Sequence, residues 1–81
     1  MPLRELDLLI IQIRTGLTWT RVARVSRYEA RRERGKAHAR KAYDGAVKLL
    51  EKTFLRQSEA ASIRSNLMNL STELRRLGED V

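Results

Sequence analysis

Ala60, Ile63, Leu67, Leu70, Leu74 and Leu77 are spaced 3, 4, 3, 4, 3 along the chain. That spacing lays one apolar stripe along an α-helix, with Ser62, Arg64, Ser65, Asn66, Asn69, Ser71, Thr72, Glu73, Arg75 and Arg76 on the other faces. An isolated helix of about 20 residues is marginal in water, so the stripe requires a surface to lie on.

A second apolar segment opens the chain. Leu3, Leu6, Ile10, Ile13 and Leu17 keep the same 3/4 spacing, and Leu8, Leu9 and Ile11 widen it until the segment is apolar on most sides. Glu5 and Asp7 suit the positive end of a helix dipole. The first helix is expected over 3–14. Thr15-Gly16-Leu17-Thr18-Trp19-Thr20 is the expected first turn, with Gly16 as stop and Thr18 as cap. One helix running through Gly16 is the alternative, because an interior glycine costs only about 1 kcal/mol.

A second helix is expected over 19–34, with Trp19, Val22, Val25 and Tyr28 as a thin apolar edge. Gly35 is the next expected boundary. The third helix, 36–56, carries Ala37, Ala39, Ala42 and Ala46, then Tyr43, Val47, Leu50 and Phe54 on one side. Small residues followed by large ones predict close approach to a neighbour at one end and core filling at the other.

Extending the C-terminal seam backwards gives Arg56, Thr53, Leu49, Ala46, Ala42 and Ala39, out of phase with Tyr43, Val47, Leu50 and Phe54. Such a break predicts either a turn at residues 56–58 with Ser58 as cap, or a stutter in one helix from 36 to 77, about 63 Å long. The hairpin is expected, with the last helix over 58–77. Arg75 and Arg76 complement its negative end, Gly78 stands where a C′ residue is needed, and residues 79–81 are expected to fray.

No strand-like alternation appears, so the expected class is all-α: a single domain over 1–81, built as an antiparallel helical hairpin or three- to four-helix bundle. A chain of 81 residues buries only about 60% of its unfolded surface. With no cysteine and one histidine, His38, neither disulfides nor a histidine-based metal site can stabilise it. Homo-oligomerisation is therefore expected to complete the core, through Leu3, Leu6, Ile10, Ile13, Ile63, Leu67, Leu70, Leu74 and Leu77. The longest apolar run, Leu8 to Ile11, falls far short of the roughly 20 residues of a membrane span. With no signal-peptide pattern, a soluble, cytoplasmic protein is expected.

Charge is the other informative feature. The net +7 lies entirely within residues 21–41, where nine cations stand against Glu29 and Glu33, while the flanking arms each sum to zero. Arg21, Arg24, Arg27, Arg31 and Arg34 are spaced to form one stripe, and Lys36, Arg40 and Lys41 continue the block. Planar guanidiniums at that density form a footprint for phosphates or for an acidic protein. The alternative is a solvated outer face. Trp19 and Tyr28 can stack on bases, though their spacing with Val22 and Val25 is that of core residues.

Chemistry-bearing constellations are missing. There is no cysteine nucleophile, no phosphate-cradling glycine loop and no glycine-flanked serine. Glu29 and Glu33, one turn apart, are read as a solvated pair balancing nearby arginines. No catalytic residue, metal or cofactor is expected. The function expected is a basic helical scaffold module that self-associates through its apolar stripes. The alternative is a nucleic-acid-binding protein that uses residues 21–41 between dimerising helices.

Overall fold

The computed structural model describes residues 4–81. Three helices follow one another, α1 (Glu5–Val25), α2 (Glu29–Lys52) and α3 (Gln57–Arg76), and no strand occurs among the described residues. The helices pack into a slab of 41 × 26 × 16 Å. No helix is long and apolar enough to cross a membrane among these residues.

Two of the expected boundaries are absent, and for one reason. Gly16 and Gly35 do not stop helices; they are the points where helices touch. A Cβ on Gly16 would lie 2.7 Å from Leu70 Cδ2 and 3.4 Å from the Ala42 Cβ. A Cβ on Gly35 would lie 3.1 Å from both the Ala23 N and the Trp19 O. The turn expected over 15–20 is therefore interior to α1, and the four expected helices become three.

The first reversal comes instead at Ser26-Arg27-Tyr28, which holds neither glycine nor proline. Ser26 leaves the helix with extended dihedrals (φ −76°, ψ 137°), and its N–H closes the last turn on the Val22 carbonyl. A continuous helix here would stack Arg21, Arg24, Arg27 and Arg31 at repulsive i,i+3 and i,i+4 spacings. Reversal also lays two rows of small residues against each other. α1 buries Leu9, Ile13, Gly16, Thr20 and Ala23; α2 buries Gly35, Ala39, Ala42 and Ala46. Gln12 beside Gly45, Gly16 beside Ala42 and Ala23 beside Gly35 define an antiparallel register.

The stripe buried on α2 is thus the backward extension of the C-terminal seam, not Tyr43, Val47, Leu50 and Phe54. The first three of these are half-buried and Phe54 is 98% exposed. α2 ends at Lys52, and α3 starts after an N-cap at Arg56, two residues before the expected Ser58 cap. The Glu59 carboxylate accepts the Arg56 N–H at 3.1 Å, as the Asp7 carboxylate accepts the Arg4 N–H at 3.2 Å in α1. An acidic side chain at the third helical position does the capping in both cases.

α3 runs parallel to α1 and lies over its contact with α2. Glu59 pairs with Arg4 at 3.8 Å near one end, Leu70 covers Gly16, and Glu73 pairs with Arg24 at 3.6 Å towards the other. Two buried clusters result. Leu9, Ile13, Ala46 and Ile63 form one; Ala39, Leu70 and Leu74 form the other.

Those clusters cover much of the seam within one chain. Ile13, Ile63, Leu70 and Leu74 are at most 2% exposed within a single chain. Leu6, Leu67 and Leu77 are half-buried, and of the expected self-association residues only Ile10, at 37%, is exposed. Leu3 lies outside the described residues. The physical reason is the shallow groove that glycine and alanine leave between α1 and α2, into which the large side chains of α3 fit.

The C-terminus is also tied down where fraying is expected. Gly78 (φ +93°) takes the left-handed C′ position, with Gly78 N–H donating to the Arg75 carbonyl and Glu79 N–H to the Leu74 carbonyl. Val81 then packs against the Ala39–Leu70–Leu74 cluster, and Arg40 donates to the Asp80 carbonyl at 3.0 Å.

Candidate nucleic-acid interface

The reversal at residues 26–28 folds the basic block in two. Arg21 and Arg24 stand on the last turns of α1, Arg27 in the turn, and Arg31 and Arg34 on the first turns of α2. The expected single-helix stripe therefore does not exist. Instead the antiparallel register sets Arg24 level with Arg34, so the cations clothe both legs of one end of the hairpin. Because α3 is parallel to α1, Arg75 and Arg76 reach the same end.

The residues expected to contact a partner divide by their surroundings. Arg21, Arg27, Arg31, Arg34 and Lys41 are exposed and have no carboxylate within ion-pair distance among the described residues. Arg31 sits 5.7 Å from the centroid of the Tyr28 ring, a cation–π contact that holds both on the surface. The other three are engaged within the chain. Arg24 pairs with Glu73, Lys36 with Glu33 at 3.5 Å, and half-buried Arg40 with Asp44 at 3.2 Å. Arg40 also holds the tail through Asp80, so its role is to anchor the C-terminus.

Further members of the surface follow from the helix geometry. Arg32 is exposed at the same end, off the 3/4 stripe. Arg31, Arg34, His38, Lys41, Gly45 and Lys48 are spaced 3, 4, 3, 4, 3, so α2 carries a polar, mostly cationic stripe of its own. Gly45 is half-buried, and the side chains of the other five are exposed. The spacing was visible in the sequence, but the run of arginines before residue 34 drew the stripe into the wrong helix. Trp19, expected in the core, is half-buried and stacks on His38 across the α1–α2 boundary, with ring centroids 4.4 Å apart and planes at 28°.

No protein-family model, curated protein or solved structure matches this chain.

Proposed function

We propose that the protein binds nucleic acid through the basic end of the α1–α2 hairpin. One observation carries this reading: the whole excess of positive charge lies in residues 21–41, where five arginines around a single turn, Arg21, Arg27, Arg31, Arg32 and Arg34, and Lys41 about halfway along α2 have no carboxylate partner among the described residues. Exposed arginines facing like charges gain most from phosphate, which takes their planar donors in pairs and releases condensed counterions. The burial of Ile63, Leu70 and Leu74 within one chain supports this order of preference over self-association.

Fluorescence anisotropy with labelled duplex and single-stranded probes across a salt series tests it. Six phosphate contacts predict a loss of affinity of roughly a thousandfold between 50 and 200 mM salt. Reversing Arg27, Arg31 and Arg34 to Glu should abolish binding at both salts. Arg24 is left intact because its pairing with Glu73 would confuse folding with binding. Salt-independent binding, or binding that survives the triple reversal, removes the proposal. Equal affinity for polyglutamate assigns the surface to an acidic protein.

Self-association as a scaffold is the second reading, and one feature favours it. Leu8, Ile10 and Ile11 are 39%, 37% and 48% exposed on the first half of α1, at the end opposite the basic turn, and Phe54 protrudes at 98% beside Leu55, which packs against the same buried cluster as Leu6. Light scattering at tens of micromolar should then give a dimer that Ile11→Lys dissolves. A monomer at that concentration ends this reading.

A further inference from the structure

The α2 stripe borders an open groove of about 830 Å³ between α1 and α2. Gln12, Thr15 and Trp19 line it from α1; His38, Lys41 and Lys48 line it from α2. Two carboxylates also border it, Asp44, which Arg40 holds at 3.2 Å, and Glu79. The groove continues the cationic surface of the hairpin end, because Arg31 and Arg34 lie on the same 3/4 row as His38, Lys41 and Lys48. From Arg31 to Lys48 that row runs about 26 Å along α2 at 1.5 Å per residue.

We infer that this groove is a site for single-stranded nucleic acid, in which a base stacks on the Trp19–His38 pair while Lys41 and Lys48 take the flanking phosphates. The inference rests on the proposed nucleic-acid reading and names the form of nucleic acid. Three features of the groove select a single strand. A stacked indole–imidazole pair offers a flat aromatic platform, which every base can use, but only when its face is free of a duplex neighbour. Exposed lysines without carboxylate partners run alongside it as an electrostatic track. Gly45 leaves a gap in the row, where the nearest side chain is the Gln12 amide, 3.5 Å from where a Cβ would stand. That amide carries both a donor and acceptor for a base edge. A solvated face needs none of this, and an acidic protein would use the lysines without the aromatic pair.

Trp19 is the only tryptophan, so its fluorescence reports the groove directly. The full chain is titrated with a single-stranded oligonucleotide of about twelve nucleotides, with the duplex of that sequence, and with polyglutamate. The expected result is saturable quenching by the single strand alone, with the duplex bound by anisotropy but leaving the emission unchanged. His38→Ala lies on an exposed position and leaves the helix-forming pattern intact. It should weaken the single strand about five- to tenfold and leave the duplex within twofold. Lys41→Glu with Lys48→Glu should weaken it further. Circular dichroism of each variant checks that the fold is retained. Equal quenching by both nucleic acids, or a His38→Ala chain that binds both as before, overturns the groove assignment while leaving the basic end as a nucleic-acid surface. Polyglutamate quenching as strongly as the single strand overturns it too. Failure of every nucleic acid to bind at low salt takes down both proposals together.

Discussion

The contact between α1 and α2 and the contact of α3 with both are built on opposite principles. The first pairs Gly16, Thr20 and Ala23 with Gly35, Ala39, Ala42 and Ala46, so two backbones come close and few large side chains lie between them. The second sets Ile63, Leu70 and Leu74 into the groove that this closeness leaves. In one, stability depends on what is missing from the side chains; in the other, on what they supply. The small-residue contact also brings Trp19 and His38 within stacking distance and sets the two basic legs side by side. The geometry of the candidate site is therefore a consequence of glycine and alanine spacing, and α3 acts on it by holding that spacing from behind.

The largest effect should come from the side that supplies volume. Leu70 is fully buried against Ala39, Leu74 and the Gly16 backbone. Leu70→Ala removes that packing and leaves a cavity that small neighbours cannot fill, which costs about 2–5 kcal/mol. Urea denaturation should show a lower midpoint with an unchanged slope. If Leu70→Ala shifts stability by well under 1 kcal/mol, α3 does not hold the hairpin, and the contrast drawn between the two contacts is wrong.

The two principles meet at Gly16, where a double-mutant cycle sharpens the contrast. Gly16→Ala alone places a methyl 2.7 Å from Leu70 Cδ2 and should destabilise, although alanine is the better helix former. In the Leu70→Ala background that methyl has room and fills part of the cavity. The second glycine replacement should then be neutral or stabilising, with a coupling of about 1–2 kcal/mol. Additive effects at these two positions would mean that α3 does not seat against α1 there.

How much of this was legible in the sequence follows the same division. The α3 seam, its C′ glycine and the all-helical class could be read from spacing and capping residues. The small-residue contact could not, because glycine is ambiguous by itself: Gly16 and Gly35 carry the signal of a helix stop and of a close approach alike. The deciding information is the register between residues far apart, Gly16 with Ala42 and Ala23 with Gly35, and it emerges only when both helices are seen together. The turn at Ser26–Tyr28 was hidden for the converse reason, since none of its residues is a breaker. The burial of the seam within one chain was hidden for the same reason. The groove that accepts Leu70 and Leu74 is made by residues that have almost no side chain. The candidate site inherits both problems. Its cations were found by composition and the reversal moved half of them to another helix, while the Trp19–His38 stack depended on the register throughout.

Gly35 tests whether the backbones themselves touch. Its missing Cβ would meet Ala23 N and Trp19 O at 3.1 Å, and backbone atoms inside a helix have no rotamer with which to give way. Gly35→Ala should therefore force the two helices apart. Overpacking of about 1–3 kcal/mol exceeds the helix-propensity gain of about 1 kcal/mol, which leaves a net loss near 1 kcal/mol. Widening at this level also separates Trp19 from His38, so the indole emission of the variant should differ from that of the parent before any ligand is added. Unchanged emission and unchanged stability together would show that the helices can part without consequence.

Gly45 is the control within the same row. It lies on α2 beside Gln12 of α1, and its Cβ would stand 3.5 Å from the Gln12 Nε2, an ordinary van der Waals distance to the end of a flexible side chain. Nothing about packing or dihedral angle requires glycine there, since Gly78 is the only residue with positive φ among those described. Gly45→Ala should therefore stabilise the fold by about 0.5–1 kcal/mol through lower entropy of the unfolded chain and better helix propensity. The interest lies in combining that gain with the groove. A methyl at residue 45 narrows the gap between Lys41 and Lys48 and covers part of the Gln12 amide, so a single strand seated on the Trp19–His38 pair should bind several-fold more weakly to a more stable protein. Opposite signs for stability and single-strand affinity would locate the ligand in the groove. A stabilised variant with undiminished affinity would mean that the gap at Gly45 has no part in binding.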